Sequence, residues 1–106
     1  MKRVLLDHCV PRQLKVLLEP HVAVTAEENG WNEMANGELL RFAEAAGFDV
    51  FVTADKNLRY QQNLAARKIA IIELPTNRLR LVKNYKESVL AALESITSGG
   101  YVAISF

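Results

Sequence analysis

Short apolar segments alternate with segments of helical period along the whole chain, and this alternation constrains the fold more than any other feature. The apolar segments hold four to six residues each, many of them β-branched or aromatic, which predicts strands. These strands are expected at residues 3–6, 21–25, 48–53, 69–74 and 101–106. Strands that are apolar on both faces and alternate with helices are typical of a parallel sheet covered by helices. We therefore predict an α/β fold, a three-layer α/β/α sandwich around a mainly parallel sheet of about five strands.

Particular residues mark where the helices between these strands begin and end. Asn36 is a candidate N-cap of the second helix, and Gly47 is its candidate terminator. A short third helix is expected at residues 58–66. A single long helix is predicted after Pro75, capped by one of the two polar residues that follow it and ended by the glycine pair that starts at Gly99.

The length and composition of the chain limit the classes of protein to consider. With 106 residues we expect one domain, spanning residues 1–106. No apolar run approaches the roughly 20 residues that a membrane helix needs, and Asp7 interrupts the first apolar segment too early for a signal peptide. The single cysteine, Cys9, cannot form an internal disulfide. We therefore expect a cytoplasmic protein, with Cys9 as a small core residue and no contact with a membrane.

Charge is distributed unevenly between the two halves of the chain, although the net charge is only +1. Residues 1–54 hold five Lys or Arg and eight Asp or Glu, whereas residues 55–106 hold eight and four. This asymmetry permits an acidic pocket beside a basic rim. Charges spread over solvated faces would explain the same counts.

Acidic residues follow two of the predicted strands. Asp7 comes directly after the first strand, and Asp55 follows the third with one alanine between. If these strands are neighbours, their carboxylates approach at one edge of the sheet, and Glu38 in the first turn of the second helix could join them. Three carboxylates repel one another unless a cation lies between them. An all-oxygen site of this kind favours Mg²⁺ or Mn²⁺ over zinc.

A site with such a metal ion is typical of nucleases, because the ion activates a water and neutralises the phosphate under attack. In this interpretation Asn57 orients a water or the ligands of the metal. Lys56 and Arg59, together with Arg12 in the segment after the first strand, are predicted to contact the phosphate backbone of a nucleic acid.

Each of these residues also has a purely structural interpretation. Asp7 and Asp55 are of a type favoured at N-caps, and Glu38 would be stabilised by the positive end of a helix dipole. Asn57 is a further candidate cap. His8, next to Asp7, is either a proton shuttle or a hydrogen-bonded packing residue.

Three sequence motifs, in this order and at this spacing, resemble a known family. They are LLDHCVPRQL at residues 5–14, GWNEMANGELL at residues 30–40 and FDVFVTADKNLRYQQNL at residues 48–64. Together they look like the small bacterial PIN-like domains, predicted nucleases related to the toxins of toxin–antitoxin pairs. The resemblance extends from Val4 to about Leu74, and the last third of the chain agrees only in its pattern of a helix followed by a strand.

The resemblance implies a fold, an activity and a set of ligands. It implies a three-layer sandwich, frequent homodimers and ribonuclease activity with Mg²⁺ or Mn²⁺ bound by acids after the first strand, on a central helix and after a later strand. By motif match these acids are Asp7, Glu38 and Asp55. The expected partners are RNA in its single-stranded form and a cognate antitoxin.

Two positions depart from the family pattern. Relatives often carry Glu where this chain has His8, and a second acid where it has Asn57. These departures motivate an alternative function, a catalytically degenerate PIN-like binding or regulatory module. A phosphoacceptor receiver domain shares the alternating pattern, but it needs an adjacent pair of acids after the first strand, where Asp7 is followed by histidine.

Overall fold

The five strands of the protein form one sheet in which every neighbouring pair is parallel. The computed structural model describes residues 1–56, 58 and 67–105. Its strands are β1 (Arg3–Leu6), β2 (Val22–Thr25), β3 (Val50–Thr53), β4 (Ala70–Glu73) and β5 (Tyr101–Ala103). They lie in the order β2-β1-β3-β4-β5. The predicted α/β class with a parallel sheet of five strands is therefore confirmed, although β2, β3, β4 and β5 are each shorter than the sequence pattern suggested.

Helices cover both faces of this sheet. The helices within the described residues are α1 (Leu14–Leu17), α2 (Asn36–Ala45), α3 (Leu79–Lys83) and α4 (Lys86–Ser95). The helix predicted at residues 58–66 lies outside the described residues, except for Leu58, which is helical and buried. None of the described helices is long and apolar enough to cross a membrane.

Alternate residues of each central strand belong to two separate apolar cores. Val4 and Leu6 pack in one core with residues of α1, α3 and α4, whereas Leu5 packs in the other with residues of α2. In β3, Val50 and Val52 belong to the first core and Phe51 to the second. Because both faces are buried, positions 4–6 of β1 and 50–52 of β3 are all apolar, which produces the continuous apolar runs in the sequence.

The long final helix predicted from the sequence is in fact two helices, α3 and α4. The backbone N–H of Asn84 donates to the carbonyl of Leu81, and that of Tyr85 donates to Val82, so the helical turn tightens before it breaks. Val82 and Val89, on either side of the break, pack in the same core. The periodic spacing of apolar residues continues across this break, because it depends on which face is buried and not on whether the backbone hydrogen bonds are continuous.

One of the helix ends predicted from the sequence is confirmed, the C-terminus of α2. Gly47 follows Ala46, the C-cap of this helix, and adopts a φ of +86°, a conformation that favours glycine, so it terminates α2 as predicted. The N-cap of α2 is Ala35 and not Asn36. The N-cap of α3 is Arg78, one or two residues later than predicted. Helix α4 ends at Ser95, before the glycine pair.

Candidate functional site

The order of the strands reverses direction at β1, which lies between β2 and β3. In open parallel sheets, ligands bind beyond the carboxyl ends of the strands at such a switch point. Leu6 of β1 and Val52 of β3 are partners in the ladder, so the residues that follow these strands emerge side by side. Asp7 and Asp55 are the acids that follow them, and the neighbouring strands that the prediction required are present.

Asp7 is buried, with only 5% of its surface exposed, and its carboxylate is held by several donors. One oxygen accepts from the backbone N–H of His8 at 2.8 Å. The other accepts from the hydroxyl of Thr53 at 2.7 Å and from the thiol of Cys9 at 3.6 Å. These donors fix the orientation of a charge that would be costly to bury without them. Helix α1 has Gln13 at its N-cap, so the interpretation of Asp7 as a helix cap is wrong.

Thr53 connects the two acids and was not singled out from the sequence. It is fully buried at the end of β3. Its hydroxyl donates to Asp7 and accepts from the backbone N–H of Asp55 at 3.0 Å. The available signal was a hydroxyl residue at the end of an apolar strand, two positions before Asp55. One hydroxyl group therefore sets the positions of both segments that carry the acids.

Asp7 and Asp55 line one open cavity of about 540 Å³, here called the acidic cavity. Its wall includes His8, Thr76 and Asn77, the last two from the loop that follows β4. The structure thus brings two of the three acids predicted as metal ligands to one cavity, Asp7 from the end of β1 and Asp55 from the end of β3.

Glu38 is placed apart from these two acids. It is an exposed residue in the first turn of α2 and is not among the residues that line the acidic cavity. Among the described residues, no group of three or more His, Cys, Asp or Glu side chains is arranged to hold a metal ion. Lys56 is exposed in the turn after Asp55. Asn57 and Arg59, the remaining predicted site residues at this edge, lie outside the described residues.

A second cavity, of about 710 Å³, meets the acidic cavity at Asp7 and His8 and is here called the β2 cavity. Arg12 lines it, as does the ion pair between Lys15 and Glu28, whose nitrogen and oxygen atoms are 2.8 Å apart. The hydrogen bond from Lys15, aided by the backbone N–H of Thr25, lowers the pKa of Glu28. The carboxyl edge of the sheet therefore carries two adjoining cavities with Asp7 between them.

Cys9 is exposed and lines the acidic cavity, so its prediction as a core residue is wrong. The physical reason is a tight turn after β1, closed by a hydrogen bond from the Val10 N–H to the Asp7 carbonyl, which directs Cys9 away from the core. Partial burial of the thiol raises its pKa above the ordinary value, and the negative charge of Asp7 contributes in the same direction.

Cys9 should therefore react slowly with iodoacetamide at neutral pH, because the thiolate is the reactive form. We expect the half-maximal rate of alkylation at a pH above 9.0, the ordinary pKa of a cysteine. The Asp7→Asn variant should react faster than the wild type at neutral pH, because a neighbouring negative charge is removed. Alkylation followed by intact-mass measurement tests this, with the protein in denaturant as the reference. Equal pH profiles for folded and denatured protein would contradict it.

Glu73, like Asp7, is a buried acid at the carboxyl edge of the sheet, but it was not predicted as a site residue from the sequence. It pairs with Thr53 in the ladder between β3 and β4, is 6% exposed, and its carboxylate accepts a hydrogen bond from the phenol of Tyr101. A single acid in the apolar segment IAIIEL was the available signal. Since Tyr101 belongs to β5, this bond ties the edge strand to its neighbour β4.

Tyr101→Phe is expected to lower the free energy of unfolding by about 1.5–3 kcal/mol, because a buried carboxylate loses a hydrogen-bond donor. Urea denaturation of the variant and the wild type measures the difference. A Tyr101→Phe, Glu73→Gln double variant should recover part of the loss, since the amide carries no charge to stabilise. A Tyr101→Phe protein as stable as the wild type would show that this bond contributes little.

Comparison of the chain with family models, with curated proteins and with solved structures finds no match.

Proposed function

We propose that the protein is a ribonuclease of PIN type that hydrolyses RNA phosphodiester bonds with Mg²⁺ or Mn²⁺. The observation that carries the proposal is the convergence of Asp7 and Asp55 on one open cavity at the switch point of a parallel sheet. Ligand sites of α/β proteins concentrate at this position. The resemblance of the motifs around both acids to PIN-like domains supports the same assignment.

The residues of the acidic cavity fit a hard divalent cation. Carboxylate oxygens are the ligands that Mg²⁺ prefers, and this ion is commonly held by one or two carboxylates while it keeps several waters. A carboxylate offers about four lone-pair sites, so Asp7 retains capacity beyond its three donors. Asp55, half-buried on the same cavity, would supply the second carboxylate. Glu38 is not needed in this arrangement.

When bound, the ion would supply a water of lowered pKa and would neutralise charge on the phosphate. The chain provides the rest of the site. The hydroxyl of Thr53 holds the carboxylate of Asp7 and the backbone of Asp55 in position, because it bonds to both. Arg12, in the β2 cavity, and Lys56, in the turn after Asp55, are both exposed and would contact phosphates of the substrate. As predicted from the sequence, Asn57 would orient a water and Arg59 would contact the phosphate backbone of the RNA.

Cleavage of labelled single-stranded RNA tests this function. We expect cleavage with Mn²⁺ that stops on addition of EDTA and is lost in Asp55→Asn. Glu38→Gln is the matched control, and it should retain most of the activity because this residue does not line the acidic cavity. Cleavage that persists in EDTA, or is unchanged in Asp55→Asn, would overturn the proposal.

A degenerate PIN-like binding module is the second candidate. The observation that favours it is that the acidic cavity holds only two carboxylates among the described residues, with His8 and Asn57 at positions where relatives carry acids. Isothermal titration with Mn²⁺ separates the candidates. Saturable binding that disappears in Asp7→Asn supports the ribonuclease, whereas an absence of binding favours the degenerate module.

A further inference from the structure

We propose that the outer face of α2 and the loop before it dock a basic amphipathic helix of a partner protein. This surface consists of Trp31, Met34 and Phe42, with the exposed acids Glu33 and Glu38 beside them, and is here called the aromatic surface. Its three apolar side chains are not among the residues that line the acidic cavity or the β2 cavity. The inference therefore goes beyond the proposed ribonuclease function and does not depend on it.

Large apolar side chains remain accessible to solvent on this surface. Phe42 is 39% exposed, although Leu39 and Leu40 of the same helix are fully buried. The ring of Phe42 contacts that of Trp31, with centroids 6.0 Å apart, and Trp31 is itself only half-buried. Apolar side chains that are exposed next to one another, with polar groups around them, mark interaction surfaces more often than isolated ones do.

The aromatic surface is held in position by the core and by backbone hydrogen bonds. Trp31 packs edge to face against the buried ring of Phe48, at a centroid distance of 6.2 Å. Its backbone N–H donates to the carbonyl of Ala26 at 2.9 Å, and its carbonyl accepts from the N–H of Met34 at 3.1 Å. Trp31 and Met34 both pack against the core that contains Leu5. Because these side chains are already positioned, a partner that binds them orders few additional groups.

The charge beside the aromatic surface favours a basic partner. Residues 26–38 contain four glutamates and no lysine or arginine. Glu28 is paired within the protein, whereas Glu33 and Glu38 are exposed and form no ion pair among the described residues. Glu38 lies one helical turn before Phe42, so the two side chains are neighbours on α2. Lysine or arginine side chains of a partner can pair with these carboxylates, whereas the phosphates of a nucleic acid would be repelled.

The aromatic rings of this region already attract cations. The guanidinium of Arg3 is 4.8 Å from the ring centroid of Phe48, and that of Arg41 is 5.7 Å from the ring centroid of Phe42. No lysine or arginine in the described part of the chain makes such a contact with Trp31. Tryptophan attracts cations more strongly than phenylalanine does. We therefore expect a basic side chain of the partner over the accessible part of the indole.

The exposed face of α2 has the form that a second helix can pack against. Glu38, Phe42 and Ala45 recur at the spacing of one helix face, and all three are exposed. Helices pack by placing the side-chain ridges of one into the grooves of the other. The small side chain of Ala45 leaves a groove beside Phe42, into which an aliphatic side chain of the partner would fit.

Fluorescence of Trp31, the single tryptophan of the chain, tests binding at this surface directly. The probe is a peptide of about 15 residues, long enough to form a helix, with leucine on one face and lysine on the other. It contains no aromatic residue and is added in the absence of RNA and metal. We expect a saturable change in the emission of Trp31. A peptide with the same residues in scrambled order, and one with glutamate in place of lysine, should bind at least about 10-fold more weakly.

Phe42→Ser is expected to weaken binding of the leucine–lysine peptide by about 10-fold, because an aromatic anchor is removed. The fold should survive, since this side chain is exposed, and circular dichroism checks it. Val22→Ser is the matched control. It also replaces an exposed apolar side chain, which lies on β2, and it should bind the peptide as the wild type does.

Neutralising the acids tests the role of charge. The double variant Glu33→Gln, Glu38→Gln should weaken binding by about 3- to 10-fold and make it less sensitive to salt. Its matched control is the double variant Glu87→Gln, Glu94→Gln. These are two exposed acids of α4, which packs on the other face of the sheet, so this control should bind as the wild type does.

The proposal is supported if the peptides bind in the expected order and only the variants of the aromatic surface weaken binding. It is overturned if the scrambled or the glutamate peptide binds equally well, if the control variants weaken binding as much, or if the leucine–lysine peptide leaves the emission of Trp31 unchanged. It is also overturned if this emission changes with protein concentration alone, since a second copy of the chain then occupies the surface. RNA cleavage does not enter this experiment, so its outcome and that of the ribonuclease test are independent.

Discussion

Asp7→Asn is expected to lower Mn²⁺-dependent RNA cleavage by at least about 100-fold, because loss of a direct metal ligand should cost at least as much as loss of an outer-shell partner. The fold should survive, since asparagine has the same shape and its carbonyl oxygen can still accept from the His8 N–H. Initial cleavage rates on a fluorogenic RNA measure the effect, and thermal unfolding by circular dichroism checks the fold.

The control for Asp7→Asn is the same substitution at the opposite edge of the sheet. Asp49 accepts a hydrogen bond from the backbone N–H of Arg3 at 2.8 Å and is exposed, so Asp49→Asn removes an equal charge far from the acidic cavity. This variant should cleave RNA at nearly the wild-type rate. Loss of less than about 10-fold in Asp7→Asn, or an equal loss in both variants, would contradict the assignment of Asp7 as a ligand.

Thr53→Val is expected to weaken Mn²⁺ binding by about 10–100-fold although Thr53 touches no metal in the proposed site. Valine keeps the branched shape but cannot donate to Asp7 or accept from the Asp55 N–H. Both segments lose the group that positions them. The free energy of unfolding should also fall by about 1–3 kcal/mol, because a buried carboxylate loses its hydroxyl donor.

Thr53→Ser is the matched control for Thr53→Val, because it keeps the hydroxyl and removes only a methyl group. It should bind Mn²⁺ nearly as the wild type does, with a loss of stability of about 1 kcal/mol. Calorimetric titration and urea denaturation measure both quantities. If the valine variant binds Mn²⁺ as tightly as the serine variant, the hydroxyl of Thr53 does not position the acids.

The sheet could be predicted from the sequence because burial on both faces leaves a direct record in the residues. Every position in Leu5–Leu6 and Val50–Val52 is inaccessible to solvent, and every one is apolar. The break between α3 and α4 left no such record, since the residues on either side face the same core. The local pattern of apolar residues therefore predicts which side chains are buried more reliably than it predicts the residue at which a helix ends.

The candidate site was predicted in part. Asp7 and Asp55 were identified because each follows an apolar strand, and the pairing of β1 with β3 brings them together. Glu38 depends on how α2 lies over the sheet, which no local pattern encodes. Thr53 and Glu73 acquire their roles only through ladder neighbours distant in the chain, and so they were missed. Long-range register is the information that the sequence pattern lacks.

The central claim is that Asp7 and Asp55 bind one divalent cation, and a crystal structure of the protein soaked in Mn²⁺ tests it most directly. Anomalous scattering identifies the ion independently of water. We expect a single Mn²⁺ in the acidic cavity, at a distance of about 2.1 Å from a carboxylate oxygen of each residue. An empty cavity at saturating Mn²⁺, or an ion bound elsewhere while these carboxylates remain uncoordinated, would contradict the account.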